Sequence, residues 1–348
     1  MNSSTDLDAA VADLLSRGGF DTHNLTVQAA AAGGNNRLYR ASAAGQCFMV
    51  KQYFRHVDDN RDRLGAEFAF LTLATQAVPG LCPAPYACNP DAGLALYEFI
   101  DGRALRPEEI GVAEIDAAIA FIHALNATAV RQSAYLPIAA EACFSIDDHL
   151  ALVDGRVKRL VAAMTDDAAA ALAQRLASCW QRVRETTLCA LPAENGAKVL
   201  TAEQRIISPS DFGFHNALRG ADGRLRFIDF EYAGWDDPAK MAGDFFHQLA
   251  LPAPSAQFGR FAAAIVAGSA SADDDMARIH RLRAVYGIKW CCIALNIFLP
   301  VHLARRRFSD PMLDEQTLKG GQLAKAARLL DALESTLLSK EAKWLTST

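Results

Sequence analysis

The stretch that most constrains this chain is residues 208–216, SPSDFGFHN, which is followed by the segment LRFIDFEYAGWDDP. Asp211 and Asn216 stand in the first stretch with four residues between them, and Asp229 ends the next apolar run. A turn signal at residues 221–223 predicts that a hairpin joins the two segments. The second half of the chain must therefore present two acids and an amide from a loop and an adjoining strand end.

The pattern of apolar residues and turn signals changes near residues 97–103. Before this point, residues 25–53 alternate short apolar segments with turn signals at 33–36 and 44–45, a pattern that predicts antiparallel strands. Apolar spacing typical of helices prevails afterwards. The patterns predict helices over 5–17 and 59–77, a loop over 79–90, a strand over 94–100, a helix from 107, helices over 145–190, a β-rich interval over 205–232 and helices from 238.

We therefore expect an α+β fold with two lobes. At 348 residues the chain is long enough for two domains. Residues 1–97 are expected to form a small N-terminal lobe of antiparallel β-sheet with one long helix. Residues 98–103 are the expected hinge, and residues 104–348 the larger, mostly helical lobe.

Composition argues against several classes of partner. The formal net charge is -5 and the pI is about 5.9, so no basic field favours nucleic acid. The N-terminus has no signal-peptide pattern, and no apolar run approaches the roughly 18 residues of a membrane span. None of the eight cysteines forms a C-x-x-C pair. We expect a cytoplasmic protein without nucleic-acid or membrane partners, and we interpret Arg305, Arg306 and Arg307 as a helix C-terminal charge match.

The order of the polar residues carries a family resemblance. Lys51 follows the apolar run CFMV, Glu67 lies on a predicted helix, and both precede Asp211, Asn216 and Asp229. In this order, and on these elements, the chain resembles the aminoglycoside phosphotransferase / choline kinase family, which shares the protein-kinase-like fold. That family has an HxDxxxxN loop, then a hairpin, then a strand that ends in an IDxE-like motif.

The resemblance covers most of the chain, about residues 25–340, and is tightest over 206–245. It implies that Asp211 is the catalytic carboxylate and that Asn216 and Asp229 hold Mg²⁺. It implies further that Lys51 contacts the nucleotide phosphates and that Glu67 is its ion-pair partner.

The resemblance also implies a nucleotide site in the small lobe. The glycine-containing turn falls where the family's nucleotide loop lies, although its spacing departs from GxGxxG, and the connector backbone would meet the adenine edge. In the family the HxDxxxxN loop is the catalytic loop, which corresponds to residues 208–216 here. Asp244 resembles an aspartate that braces this catalytic loop from a following helix. The residues concerned in nucleotide binding are Gly33, Gly34, Asn35, Asn36, Glu98, Phe99 and Ile100.

One residue departs from the family pattern. Pro209 stands where the loop usually has a histidine, and proline fixes φ and lacks a donor. Ser208 or Ser210 would then take over some of the loop's hydrogen bonds. Since the charged residues are all present, we favour an active enzyme over a catalytically inactive nucleotide-binding or scaffold protein. A protein kinase is disfavoured because residues 229–238 are too short for an activation segment.

Other polar residues allow two interpretations. His215 is more often a loop histidine bonded to nearby backbone than a base, and His123 and His247 fit core or groove positions. Asp236 and Asp237 either contact the acceptor or cap the helix that begins at Pro238. The residues Lys289, Trp290 and Asn296 lie on an apolar helical stretch that is either core or acceptor pocket.

The expected function is transfer of a phosphoryl group from ATP, with Mg²⁺, to a hydroxyl of a small molecule. The resemblance leaves sugar-, amino-alcohol- and aminoglycoside-like acceptors open. An aminoglycoside would require many carboxylates in the acceptor pocket. A quaternary amine would require an aromatic cage, to which Trp235 or Trp290 could contribute.

Overall fold

An antiparallel β-sheet forms the first part of the chain and helices form most of the rest, which confirms the expected α+β, protein-kinase-like fold. The structure is a computed structural model that describes residues 4–30, 36–57, 59–189, 191 and 196–338. The strands are β1 (Thr26–Ala29), β2 (Arg37–Ala43), β3 (Gln46–Gln52), β4 (Pro85–Asn89), β5 (Leu94–Glu98), β6 (Gly102–Ala104), β7 (Ile206–Ser208), β8 (Ala217–Gly220), β9 (Leu225–Phe227) and β10 (Gly234–Asp236).

The helices account for most of the chain after β6. They are α1 (Ser4–Arg17), α2 (Arg63–Ala77), α3 (Val112–Leu125), α4 (Thr128–Ser133), α5 (Ile146–Ala163), α6 (Asp167–Cys189), α7 (Pro238–His247), α8 (Phe258–Val266), α9 (Ala272–Leu295), α10 (Pro300–Ser309) and α11 (Glu315–Leu338).

The N-terminal sheet has five antiparallel strands in the order β1-β2-β3-β5-β4. Strand β3 is therefore central, and Lys51 pairs with Leu38 on one side and Ala95 on the other. Helix α1 buries Leu14 and Leu15 against one face of the sheet, so the small lobe has this helix in addition to α2. A lysine on a central strand has its backbone fixed on both sides, which holds its side chain in a defined direction.

Several elements differ from the sequence prediction. Residues 85–89, predicted as loop, form β4, because a proline is tolerated at the first position of an edge strand. Helix α2 begins at Arg63 rather than at 59, since the Asp62 side chain accepts from the backbone N–H of Gly65 at 2.9 Å and caps the helix. Residues 107–109 form one 3₁₀ turn, and α3 begins only at Val112.

The segment before the catalytic loop is fixed by a side chain at the end of α3. Asn126 donates from Nδ2 to the Ile207 carbonyl at 2.9 Å, and its Oδ1 accepts from the Ile207 N–H at 2.8 Å. These two bonds satisfy both backbone groups of a residue in β7. The predicted hairpin of β8 and β9 is confirmed, while the short strand β10, which pairs with β7, was not predicted.

Aromatic rings pack between the catalytic loop and the two lobes. Phe212 lies 5.7 Å from Phe121 and 4.9 Å from Phe227, measured between ring centroids. Phe230 stacks on Phe70 of α2 at 4.6 Å. Rings of this size contribute much of the buried apolar area of a core. The residues next to Asp211 and Asp229 are therefore core residues, and they anchor both acids.

Among the described residues, no single helix is long and apolar enough to cross a bilayer; one pair bent by 72°, Ala272–Phe298 with Pro300–Ser309, has enough length and apolar content when taken together.

We predict that Gly243→Ala destabilises the fold. A Cβ at Gly243 in α7 would lie under 3.0 Å from three atoms of Tyr286 in α9. That ring is fully buried and its hydroxyl is tied to His149 Nδ1 at 2.8 Å, so it has little freedom to move. We expect a loss of about 1–3 kcal/mol in the free energy of unfolding, measured by chemical denaturation.

The matched control is Gly320→Ala in α11, where a Cβ would have no neighbour within 4 Å. Removing a glycine from an exposed helix interior should stabilise by about 0.5–1 kcal/mol. Equal stability of the two variants would contradict this account of the α7–α9 packing.

Candidate active site

A buried lysine joins the two lobes at the centre of the site. Lys51 Nζ lies 2.6 Å from Glu67 Oε2 and 2.5 Å from Asp229 Oδ1. Burial alone would lower the pKa of Lys51, but the carboxylates of Asp229 and Glu67 outweigh it and raise the pKa well above the ordinary value. Lys51 is therefore a permanent cation that is held between an acid of α2 and an acid of the C-terminal lobe.

Glu67 also fixes the backbone next to Asp229. Its Oε1 accepts from the Phe230 N–H at 3.0 Å, and its Oε2 accepts from the Tyr53 hydroxyl at 2.6 Å. Asp229 has φ of 66°, a left-handed conformation that is uncommon outside glycine. Such strain persists where surrounding contacts impose it, and it is concentrated at functional sites. Here the bond to Glu67 holds the neighbouring residue, and the Asp229 carboxylate stays 36% exposed.

The loop after β7 brings Asp211 and Asn216 to the same cavity. Asn216 Nδ2 donates to the Asp211 carbonyl at 3.0 Å, so the side-chain oxygen is left to face elsewhere. Asp211 is 32% exposed at its side chain and lines the cavity together with Asn216 and Asp229. The structure therefore brings together the acids and the amide that the sequence analysis selected.

His215 contacts the Asp211 carboxylate rather than a backbone group, which corrects the interpretation from sequence. Its Nε2 lies 3.4 Å from Asp211 Oδ1, and its buried Nδ1 has no hydrogen-bond partner among the described residues. Burial lowers the pKa of His215, but Asp211 and then Asp229 raise it, and the net direction is upward. The ring thus keeps its proton to a higher pH than a free histidine.

A lysine supports the loop at the position of Pro209. Lys240 Nζ donates to Ser210 Oγ at 2.8 Å and to Asp236 Oδ2 at 2.6 Å, and all of these atoms are buried. Ser210 also has a positive φ of 66°. The predicted role of Ser210 in replacing the histidine's bonds fits this contact, and its partner, Lys240, was not anticipated.

Asp244 reaches this loop through an intermediate. Its carboxylate accepts from Lys289 at 2.9 Å and from the Trp290 ring N–H at 2.9 Å, and it lies 3.6 Å from Lys240. The expected brace is therefore indirect, because Lys240 makes the contact with Ser210.

Of the four residues predicted for the nucleotide loop, 33–36, the structure describes the last, Asn36. Gly33, Gly34 and Asn35 lie outside the described residues. Buried Asn36 donates to Glu231 Oε2 at 2.6 Å and accepts from the Phe54 N–H at 3.1 Å. The second acid of the IDFE segment therefore ties the end of this loop to the C-terminal lobe.

The connector, residues 98–103, follows directly from β5 of the N-terminal sheet. Glu98 ends β5, and its backbone N–H and side-chain Oε2 both bond to Ala84, at 2.9 and 3.1 Å. Phe99 and Ile100 continue it, and the Phe99 ring lies 4.9 Å from the Arg40 guanidinium. The segment expected to meet the adenine edge is thus anchored at its start.

A cavity of about 630 Å³ opens beside the catalytic loop. Lys289, Trp290 and Asn296 of the sequence-predicted helical stretch all line it. Lys289 and Trp290 are nevertheless buried, so these residues belong to both the core and the cavity wall. The volume falls in the usual range for a small-molecule site, about 300–1,000 Å³.

The geometry agrees with comparisons to known proteins. The sequence profile of the phosphotransferase enzyme family, APH, matches residues 26–282. The chain belongs to this family. It is therefore a phosphotransferase that acts on a hydroxyl group of a small molecule, and the order of its site residues is explained by that membership.

Solved structures of similar fold include kinases of small alcohols. A choline kinase from Cryptosporidium parvum Iowa II is 12% identical, with 99% of this chain and 100% of that chain covered and a TM-score of 0.61. A Plasmodium vivax ethanolamine kinase is 15% identical, with 96% and 91% covered and a TM-score of 0.55.

A spectinomycin phosphotransferase in complex with ADP and spectinomycin is 11% identical, with 94% of this chain and 98% of that chain covered and a TM-score of 0.55. At these identities the likeness concerns the fold. No curated protein matches this chain by sequence.

Two aspartates that follow Asp229, at positions 236 and 237, have structural roles in this phosphotransferase. Asp237 caps α7 by accepting from the Ala239 N–H at 2.7 Å, as one of the two interpretations held. It also binds His149 and Arg278, at 2.9 and 2.8 Å. Asp236 pairs with Lys240, and both acids are fully buried.

The remaining basic and aromatic residues agree only in part with the sequence predictions. His123 is on an exposed helix face, where Nε2 lies 2.6 Å from the Ala264 carbonyl, so the core interpretation was wrong for it. Partly buried His247 bonds to the Gly243 carbonyl at 2.9 Å. Trp235 packs 5.2 Å from the Arg131 guanidinium. Arg306 and Arg307 do lie in the last turn of α10, but Arg305 is buried and pairs with Asp59 at 2.9 Å.

We predict that Lys240→Met strongly destabilises the protein. The substitution leaves the buried Asp236 carboxylate without its cation, which costs about 3–5 kcal/mol in a buried pair. Replacing both residues, in Lys240→Met/Asp236→Leu, should restore most of the stability. That double variant lacks the donor to Ser210, so its kcat should fall while nucleotide affinity is retained.

Lys319→Met is the matched control, because Lys319 pairs with Glu315 on an accessible face of α11. Its effect on unfolding should be below about 1 kcal/mol. A double variant with the kcat of the natural protein would contradict the positioning role of Lys240.

Proposed function

We propose that this phosphotransferase is an ATP- and Mg²⁺-dependent small-molecule kinase that transfers the γ-phosphoryl group to a hydroxyl of its acceptor. One observation carries the proposal: Asp211, Asn216 and Asp229 line a single cavity, and Asp229 is bonded to Lys51 from the other lobe. Phosphoryl transfer needs a carboxylate near the acceptor hydroxyl, oxygen ligands for a metal and a cation for the phosphates. This arrangement supplies each of them.

The nucleotide would bind between the sheet and the catalytic loop. Lys51 would contact its phosphates, and Glu67 would keep the lysine in place through their 2.6 Å bond. The turn that contains Gly33, Gly34, Asn35 and Asn36 would cover the phosphates with backbone N–H groups. The connector residues Glu98, Phe99 and Ile100 would meet the adenine edge. We accordingly propose 1–97, 98–103 and 104–348 as nucleotide lobe, hinge and catalytic lobe.

The side chains of Asn216 and Asp229 fit a magnesium site. Both are oxygen ligands, which Mg²⁺ prefers, and few protein ligands suffice because phosphate oxygens and water complete its octahedron. Asp229 is partly exposed toward the cavity, and the Asn216 amide nitrogen is already bonded to Asp211. When bound there, the metal would neutralise charge on the β- and γ-phosphates.

Asp211 would orient the acceptor hydroxyl and accept its proton. As the acceptor oxygen bonds to the γ-phosphorus, the bond from that phosphorus to the β,γ-bridging oxygen breaks and ADP leaves. The hydroxyl proton passes to the Asp211 carboxylate late in this step. Positioning and charge neutralisation supply most of the acceleration.

The bonding around Pro209 supports an active enzyme. Ser210 next to it is held by Lys240, and Phe212 on the other side of Asp211 is packed among rings. The loop is thus supported without the histidine of the family pattern.

We also propose a cytoplasmic location, since all eight cysteines are free and reducing compartments keep thiols in this state.

Asp229→Ala should abolish turnover, by about 10³-fold or more, because it removes charge stabilisation at the phosphates. It should also remove the dependence of nucleotide binding on Mg²⁺, measured by thermal shift with ATP in the presence of Mg²⁺ or EDTA. Asp222→Ala is the matched control, since exposed Asp222 is in the turn of the same hairpin and Arg226 is its only ion-pair partner among the described residues. Metal-dependent binding that survives in Asp229→Ala would refute the assignment.

Asp211→Asn should separate binding from transfer. The amide keeps the size of the side chain but is a poor proton acceptor, so kcat should fall by about 10²–10⁴-fold. Affinity for ATP and Mg²⁺ should stay within about twofold, because the substitution leaves the proposed metal ligands in place. ADP release measured at saturating ATP gives the first quantity and calorimetry the second. Unchanged kcat would rule out the role of Asp211.

A further inference from the structure

Basic side chains dominate the cavity wall beyond the catalytic loop. The lining contains seven lysines and arginines against four aspartates and glutamates. Two of the four acids, Asp211 and Asp229, are assigned to the proposed transfer and the metal. Glu141 and Asp244 are the acids that remain among the described lining residues. The part of the wall left for the acceptor therefore has an excess of cations.

The two remaining acids are already engaged by the wall itself. Asp244 accepts from Lys289 through both carboxylate oxygens, each at 2.9 Å. Glu141 pairs with Arg156, whose attraction, against the effect of burial, lowers the pKa of Glu141 far below its ordinary value. Neither carboxylate is free to bind a cationic group of an acceptor.

Three arginines share one carboxylate behind the wall. Asp59 accepts from Arg61 at 2.7 and 2.8 Å, from Arg305 at 2.9 Å and from Arg63. Arg61 and Arg305 line the cavity. Arg63 also lies 3.9 Å from Glu231, a weak contact for an ion pair. One aspartate cannot neutralise this group, so positive charge remains at the cavity.

Two further cations, on α10 and α11, line the wall. Arg306 of α10 and Lys325 of α11 have no salt-bridge partner among the described residues, and both line the cavity. Arg307, beside Arg306 in the chain, points elsewhere and pairs with Glu315. The difference between neighbours shows that Arg306 is directed to the cavity while Arg307 is not.

A partly buried histidine lies among the arginines of this wall. Burial and the nearby guanidiniums of Arg305, Arg156 and Arg61 lower the pKa of His302 to about 3, with Glu141 opposing weakly. A neutral imidazole is thus favoured at a place where a further positive charge would be repelled.

From this charge arrangement we infer that the acceptor is an anionic alcohol, which carries a carboxylate or a phosphate group bound by Arg61, Arg305 and Arg306. The inference rests on the proposed kinase function and specifies its substrate class: sugar acids and sugar phosphates rather than amino alcohols or aminoglycosides. Arginine binds both anions through paired N–H groups. A cationic acceptor would face like charges at short range in a partly desolvated cavity.

The test is a matched panel in which the hydroxyl framework stays similar and the charge changes. One set is glucose, glucuronate, glucose 6-phosphate and glucosamine, and the other is glycerol, glycerate, glycerol 3-phosphate and ethanolamine. ADP release gives kcat/KM for each compound. Thermal shift with Mg²⁺ and a non-hydrolysable ATP analogue gives binding, with inorganic phosphate and citrate as additional probes. The carboxylate and phosphate members distinguish the two sources of negative charge.

We expect anionic members to exceed their neutral and cationic counterparts by tenfold or more in kcat/KM or in affinity. Arg306→Gln should weaken binding of the preferred anion by roughly 10- to 100-fold, the effect of losing a charge-assisted contact, with the KM for ATP unchanged. Arg307→Gln on the same helix is the control and should leave both quantities as they are, since its side chain is 62% exposed.

Several results would overturn the inference. Equal or better use of glucosamine or ethanolamine would do so while leaving the kinase function intact. A rise in KM for ATP alone in Arg306→Gln would assign that arginine to the nucleotide. Absence of binding by any anion, with metal-dependent ATP binding present, would also contradict it. Absence of metal-dependent ATP binding would instead refute the kinase function.

Discussion

The ion pair of Lys51 with Asp229 is the contact on which the rest of the site depends. It joins a central strand of the sheet to the end of the hairpin in the other lobe, over 2.5 Å, and Glu67 holds the lysine from the side. Because Glu67 also bonds to the backbone after Asp229, the same three residues set the conformation of Asp229. Separating a buried cation from its acids would leave an uncompensated charge, which is costly. The ion pairs therefore hold the sheet and the hairpin of the other lobe together.

The catalytic loop is supported from a different direction. Asn126 holds the strand before it, Lys240 holds Ser210, and aromatic rings hold Phe212. These contacts come from α3, β9 and α7, which approach the loop from both sides of it in the sequence. Support of this kind explains how the loop can lack the histidine that the family pattern places at Pro209, since the backbone is fixed by other bonds.

The sequence allowed prediction of those elements whose signals, apolar periodicity and turn residues, lie within the element itself. The strands of the sheet other than β4, the helix that carries Glu67 and the hairpin before Asp229 follow from apolar periodicity and turn residues. Asp211, Asn216 and Asp229 were selected by their order, and the structure brings them to one cavity. The pairing of Lys240 with Ser210 could not be predicted, because a lysine on a helix gives no sign of its tertiary partner. The role of Arg305 was missed for the same reason: its partner Asp59 is distant in sequence.

Family membership accounts for one part of the cavity but does not identify the acceptor. Membership explains the phosphotransferase centre, whereas we propose that the arginines and the lysine beside it bear on the acceptor. Charge distinguishes the two parts of the cavity: the acids that we propose for transfer lie at the catalytic loop, and the cations on α10 and α11 face the remaining space.

The most direct measurement of the central claim is a crystal structure of the protein with Mg²⁺ and a non-hydrolysable ATP analogue. The account predicts a metal at about 2.0–2.1 Å from side-chain oxygens of Asn216 and Asp229, with Lys51 on the phosphates and Asp211 facing the γ-phosphate across the cavity. A nucleotide bound outside this cavity, or a metal held by other side chains, would contradict it.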